Sequence, residues 1–323
     1  MPLFRRGANG GDDRAAREAA AAEQAASLAA LERGELPLRA QQRLAELGAG
    51  GGLFTSDLSV NEFALGAASG LRPVAQVMGS SIYHVGWQQS PGTWAGWQAR
   101  GVSQELVTLS EAWNTARSRA FSRLAQEATL VRAHAVVGVR LTVGRHDWAA
   151  GAIEYVAVGT AVRIDGAAPT AEPVLTDLSG QEYFLLREAG YRPLGVVGAT
   201  SVLYVVSGWQ QRQVQGMFSS WANQELGDFT QGVYDARELA LGRVSADARR
   251  QGAAGMVGVT LAHAVEEREA SSGGSSRTDL IVTVHVLGTS IAAETETVSA
   301  VTPALTVNVS RDSHPAHVLG GNR

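Results

Sequence analysis

The chain of 323 residues contains no cysteine and no lysine. Without cysteine there is no disulfide framework, thiolate zinc site, iron–sulfur cluster or cysteine nucleophile. Without lysine there is no Schiff-base amine and no phosphate-loop lysine, and all 27 basic residues are arginine. No window approaches 18 consecutive apolar residues, so no membrane span is expected. The start, MPLFRRG, leads into no apolar core of signal-peptide length, which points to a cytoplasmic protein. A net charge of −4 supplies no broad positive field for nucleic acid. What is present, 45% hydrophobic and 18% charged residues, is globular, and the length predicts two domains or one large one.

Residues 1–52 stand apart in composition. From Asp12 to Arg33 the chain is mostly Ala, Glu and Arg, a helix by propensity but one with little to bury. A second short helix is expected from Glu35, with Pro37 near its start and Ala40, Leu44 and Leu47 on one face. Gly48 to Gly52 read as a flexible joint. The arm is either a mobile solubilising segment or a helix that docks on a neighbouring subunit or a protein partner.

The rest of the chain is one pattern written twice. Asp57-Leu58-Ser59 recurs as Asp177-Leu178-Ser179, Arg72-Pro73 as Arg192-Pro193, and Gly86-Trp87-Gln88-Gln89 as Gly208-Trp209-Gln210-Gln211. Gln104-Glu105-Leu106 returns as Gln224-Glu225-Leu226, Ala116-Arg117 as Ala236-Arg237, Val137-Gly138-Val139 as Val257-Gly258-Val259, and Gly159-Thr160 as Gly288-Thr289. Order and spacing persist over about 110 residues, the mark of internal duplication. Two tandem domains are expected, at 53–165 and 173–292, followed by a tail at 293–323.

Each copy predicts the same elements. Ser59 with Glu62, and Ser179 with Glu182, fit a helix capping box, and the short helix that follows ends near Gly70 or Gly190. Val74–Val85 and Leu194–Val206 read as strands. Residues 103–128 and 224–250 carry the helical period, with Leu106, Leu109, Trp113, Ala116 and Ala120 on one face of the first. Ala135–Val143 and Ile153–Ile164 close the first copy as strands; Met256–Val265 and Leu280–Ile291 close the second. The expected class is α+β, each domain a small sheet with one long helix.

The run from Arg132 to Arg140, then Ile153-Glu154-Tyr155-Val156-Ala157-Val158-Gly159-Thr160-Ala161-Val162, resembles the closing strand pair of the YbjQ-like proteins, small bacterial proteins labelled as heavy-metal-binding. The helix with Ala116-Arg117 and Ala120, and the strand around Gly79, are similar to that family's as well. The likeness spans 53–165 closely and 174–292 more loosely, where Gly288-Thr289-Ser290-Ile291 departs from the pattern. The resemblance implies β/α units that assemble into pentamers.

Chemistry is sparse. The seven histidines are His84, His134, His146, His263, His285, His314 and His317, and none has a histidine at its duplicate position, so no metal site and no cofactor are expected. The duplicated carboxylates are Asp57/Asp177, Glu62/Glu182 and Glu105/Glu225; the first two pairs are assigned to helix capping and the third to the first turn of the long helix. No nucleophile elbow, Walker loop or His-Glu-x-x-His motif occurs, so no catalytic residue is named.

Tryptophans say more. Gly86, Trp87, Trp94 and Trp97 in the first copy, and Gly208, Trp209 and Trp221 in the second, lie in turn-rich sequence; such aromatics are either plugs over the domain core or anchors against another chain, and the second reading is favoured. In the tail, Pro303-Ala304-Leu305-Thr306 repeats Pro173-Val174-Leu175-Thr176 as a truncated third start that would pair with a sheet edge. The expected protein is a non-enzymatic homo-oligomer, a ring scaffold, shell component or small-ligand chamber, built as two stacked five-membered rings. The alternatives are a metal-binding or metal-sensing protein, and an enzyme with a cleft between domains.

Overall fold

A computed structural model describes residues 10–50, 52–85, 103–146, 152–208, 225–272 and 275–294. The arm forms α1 (Gly10–Glu32) and α2 (Leu38–Gly48). The first half continues as α3 (Val60–Ala68), β1 (Leu71–His84), β2 (Gln104–Glu105), α4 (Val107–Leu130), β3 (Ala135–His146) and β4 (Ala152–Ile164). The second comprises β5 (Val174–Leu175), α5 (Gly180–Glu188), β6 (Tyr191–Val205), α6 (Gly227–Arg250), β7 (Gly255–Ser272) and β8 (Ser275–Ala293).

Helices and two sheets of mixed parentage result. One sheet has the order β1-β4-β3-β5 and the other β2-β6-β8-β7. Each half lends a two-residue strand to the other. β5 pairs parallel with β3 through Ala135↔Val174 and Val136↔Leu175, whereas β2 pairs antiparallel with β6 through Gln104↔Tyr204 and Glu105↔Leu203. Gln104 and Glu105 are therefore strand, and the long helix starts four residues later than its periodicity predicts.

The two halves share their irregularities. Both short helices carry the full capping box, Ser59 with Glu62 and Ser179 with Glu182. Gly70 and Gly190 follow them at φ +77, the left-handed turn that a glycine makes without strain. β1 and β6 each slip register just after their proline, and β3 and β7 each bulge at a positive-φ glycine, Gly138 or Gly258.

Both long helices bury a ladder of residues four apart, four of the five in each being Ala or Gly. In α4 it is Ala112, Ala116, Ala120, Leu124 and Ala128; in α6 it is Gly232, Ala236, Ala240, Val244 and Ala248. Small side chains let each helix axis approach its sheet closely. Gly79 of β1 completes the fit, because a Cβ there would fall on the Ala120 carbonyl and the Leu124 amide. The second half puts the glycine on the helix instead, where Gly232 sits against Val205.

The arm is docked rather than loose. Ala30, Leu36 and Leu44 are buried, and Leu36 and Leu44 join the core around α4. Arg123 donates to the Leu31 carbonyl and Gln126 to that of Gly34. Gly48, expected in a flexible joint, is the buried end of α2, packed on the backbone of Leu130 and Val131.

Candidate assembly surfaces

Of the residues expected to anchor another chain, Gly86, Trp87, Trp94, Trp97, Trp209 and Trp221 lie outside the described residues. Gly208 is described. Its amide donates to Asp228 Oδ2 at 2.9 Å, and the Asp228 carboxylate fills the space a side chain would need. The proposed tail strand at 303–306 and the histidines at 314 and 317 also lie outside.

A different surface carries the information: the seam between the halves. The free edge of β6 is closed by the first half. Leu106 N–H donates to the Val202 carbonyl at 2.8 Å, and Val202 N–H donates to Ser110 Oγ at 2.9 Å. Asn114 clasps Thr200, accepting from its amide and donating to its carbonyl, both at 2.9 Å. Glu105 of β2 meets Arg243 of α6 in a two-point ion pair at 2.6 and 2.8 Å. Burial raises the Glu105 pKa, but the Arg243 and Ser110 hydrogen bonds and the Arg243 charge together hold it below the ordinary value.

Behind this edge lies an aromatic and polar cluster. Trp113 of α4 packs edge-on against Tyr155 at 5.5 Å and His285 at 5.2 Å between centroids, joining both sheets through one ring. Thr200 Oγ1 lies 3.0 Å from Tyr155 Oη and 2.9 Å from His285 Nδ1. Arg117 is buried beside them and donates to Thr200 Oγ1 at 3.4 Å. Burial depresses the Arg117 pKa and raises that of the Tyr155 phenol. A cleft of about 390 Å³ opens here, its walls including Leu141, Val143 and Leu261.

The same surfaces one repeat away are bare. β6 is buried on both faces from Val197 to Val205, whereas β1 alternates, and its outer row is open. Val202 is 0% exposed and its counterpart Ile82 is 56% exposed; Gly198 is buried and its counterpart Met78 is 49% exposed. β1 is also the terminal strand of its sheet. On the helix side, Asn114 is half-buried at the seam, but its counterpart Tyr234 on α6 is 55% exposed. Buried Arg117 corresponds to exposed Arg237.

The duplicated carboxylates divide differently from their sequence assignment. Glu62 and Glu182 cap helices as expected. Asp57 and Asp177 instead accept from Thr160 and Thr289, so each aspartate latches the duplicated Gly-Thr of its own half. Asp57 also pairs with Arg140. Burial raises the Asp177 pKa to about 6. Glu105 and Glu225 precede their helices rather than lying in the first turn. The repeat of Gln-Glu-Leu was the available signal for the seam; its partner arginine lies 138 positions away, beyond any local pattern.

Among the described residues, His263 and His285 line the same cleft but the histidines form no larger cluster. His134 Nδ1 accepts from the Ile164 amide at 3.0 Å, His285 belongs to the Tyr155 cluster, and His84 and His263 are exposed. Among the described residues no three His, Asp or Glu side chains come together as a metal cage.

A family model described as "Putative heavy-metal-binding", YbjQ_1, matches residues 99–165, which include α4, β3 and β4. The chain is 40% identical to the encapsulin nanocompartment protein Rv1762c of Mycobacterium tuberculosis over 217 residues, 65% of this chain and 78% of that one. The chain belongs to the YbjQ-like family. No solved structure matches it. This YbjQ-like chain has no cysteine, and its described residues bring no set of metal donors together to match the heavy-metal label. No described helix is long and apolar enough to cross a membrane.

Proposed function

We propose that this YbjQ-like protein is a non-catalytic, self-assembling protein of the bacterial cytoplasm, two tandem units at 53–165 and 173–292 that build a closed ring, shell component or chamber. The observation that carries this reading is the pair of uncovered surfaces, β1 with Met78 and Ile82 at one end and α6 with Tyr234 at the other. Their duplicates within the chain cover one another. Exposed apolar residues on a terminal strand mark an interaction surface. The relationship to a protein named for a nanocompartment supports the same reading.

The form expected from the sequence, two stacked rings of like units, needs each α4 against a neighbour's first sheet. α4 lies along β6 of its own chain instead. We therefore favour a ring in which the two units alternate, so that five chains would supply ten units. The arm, folded on α4, is a support for the unit rather than a free hook for a partner.

Imaging of the purified full-length protein by negative-stain electron microscopy tests the reading. Closed particles of uniform diameter are expected. Fields of particles no larger than one 33.9 kDa chain would refute it.

A further inference from the structure

We infer that the seam inside the chain is repeated between chains, with the start of α6 from one copy closing the β1 edge of the next and Glu225 of the first copy pairing with Arg123 of the second. The inference rests on the self-assembly reading and names the surfaces that carry it.

Arg243 of α6 faces the seam. Its guanidinium reaches the Thr200 carbonyl on the β6 edge at 3.5 Å and is neutralised by Glu105, delivered by the preceding unit. Arg123 holds the same place in the first half, 120 positions earlier, and donates to the carbonyl of Ser80, the counterpart of Thr200, at 2.6 Å. Yet no carboxylate pairs with Arg123 among the described residues, and its Nε is buried with no hydrogen-bond partner. Burial lowers its pKa and the charge of Arg119 lowers it further, an environment that an incoming carboxylate would relieve. The described residues ahead of the first half are those of the arm, and none of their carboxylates pairs with Arg123. Glu225, the counterpart of Glu105, is exposed and makes no ion pair among the described residues. Arg123 is held by two carbonyls, those of Ser80 and Leu31, with no carboxylate among the described residues, and Glu225 has no cation among them.

The neighbouring positions agree. Ser110 Oγ accepts from Val202 N–H, and its counterpart Thr230 also carries a hydroxyl, suited to accept from Ile82 N–H. Leu106 N–H serves the Val202 carbonyl, and Leu226 stands ready to serve that of Ile82. The even positions of β1 do turn their backbone groups toward the open side: Met78 N–H donates to Glu127 and the Ser80 carbonyl accepts from Arg123. Beyond Ser80 no side chain of the described residues closes the edge, which a partner could complete. Such a contact joins unlike surfaces, so it propagates head to tail and closes only as a ring of whole chains.

Two exposed positions test this on the full-length protein: Glu225→Arg on the α6 side and Ile82→Asp on the β1 side. Mass photometry is expected to show each variant alone as single chains, with at least a tenfold rise in the concentration needed for assembly. Far-UV circular dichroism and melting should match the parent. Mixing the two variants leaves one intact contact, between Glu225 of the second variant and Ile82–Arg123 of the first. The mixture should therefore yield a discrete one-to-one dimer and nothing larger. A parent protein that is itself a single chain would overturn both the self-assembly reading and this inference. If the parent assembles but the variants assemble normally, or their mixture gives no dimer, self-assembly stands and this interface is wrong.

Discussion

Gly79 sets how closely α4 approaches β1, because the Ala120 carbonyl and Leu124 amide occupy the space of a side chain. Gly79→Ala must push a helix off its sheet, and a loss of about 3 kcal/mol is expected in urea unfolding. Ala199, at the duplicate position, already accommodates a methyl, so Ala199→Gly should cost only about 1 kcal/mol. Asp177 gives a residue-scale prediction in pH. Its pKa is raised from 3.8 to about 6, so between those values the folded chain holds a proton that the unfolded chain has released. Stability contributed by this group is greatest below pH 4 and declines as pH rises through 6. Relative to Asp177→Asn, the parent should lose about 2 kcal/mol between pH 4 and pH 7, discounted for partial exposure. An unchanged difference across that range would contradict the assignment. The roles of such residues were only partly legible. Ser59 and Glu62 announce a cap because both partners lie within one turn, whereas the hold of Asp177 on Thr289 spans 112 positions and shows in sequence only as two motifs that happen to be duplicated.

At the scale of elements, long periodic segments were readable and short borrowed ones were not. α4, α6 and the six long strands follow from spacing and from Val and Ile content, with most ends displaced by a few residues and the β7–β8 hairpin longer, to Ser272 and from Ser275, than the expected Val265 and Leu280. β2 and β5 contain two residues each, and no hydrophobic period exists in two residues; they are strands because another half of the chain presents an edge. That is also why Gln104 and Glu105 read as helix from sequence. The ion pair that fixes β2 has a measurable worth. Glu105→Gln leaves the Arg243 guanidinium without its carboxylate, and a loss of about 2 kcal/mol is expected at pH 7. Because the folded pKa of Glu105 lies below its ordinary 4.5, the advantage of the parent is fully present above that pH and fades as pH falls below it. A parent and variant that unfold alike at pH 7 would show β2 to be held by its backbone pairing alone.

Across the whole molecule, β6 is sheltered on both faces from Val197 to Val205 while β1 offers an uncovered edge, and α6 offers an uncovered flank. The duplication was plain in the sequence. The consequence, that the chain supplies each kind of surface once covered and once bare, needed the packing of α4 on β6 to be seen. The tryptophan anchors expected from sequence lie outside the described residues and remain a separate proposal for the same assembly. The account stands on one claim, that what α4 and Glu105 do inside the chain, α6 and Glu225 do between chains. Mass photometry of the unmodified protein over serial dilution tests it most directly. The account predicts one dominant species, a whole multiple of 33.9 kDa, that persists to nanomolar concentration before giving way to single chains. A single-chain mass at every concentration, with Ile82 and Tyr234 open to solvent throughout, would contradict it.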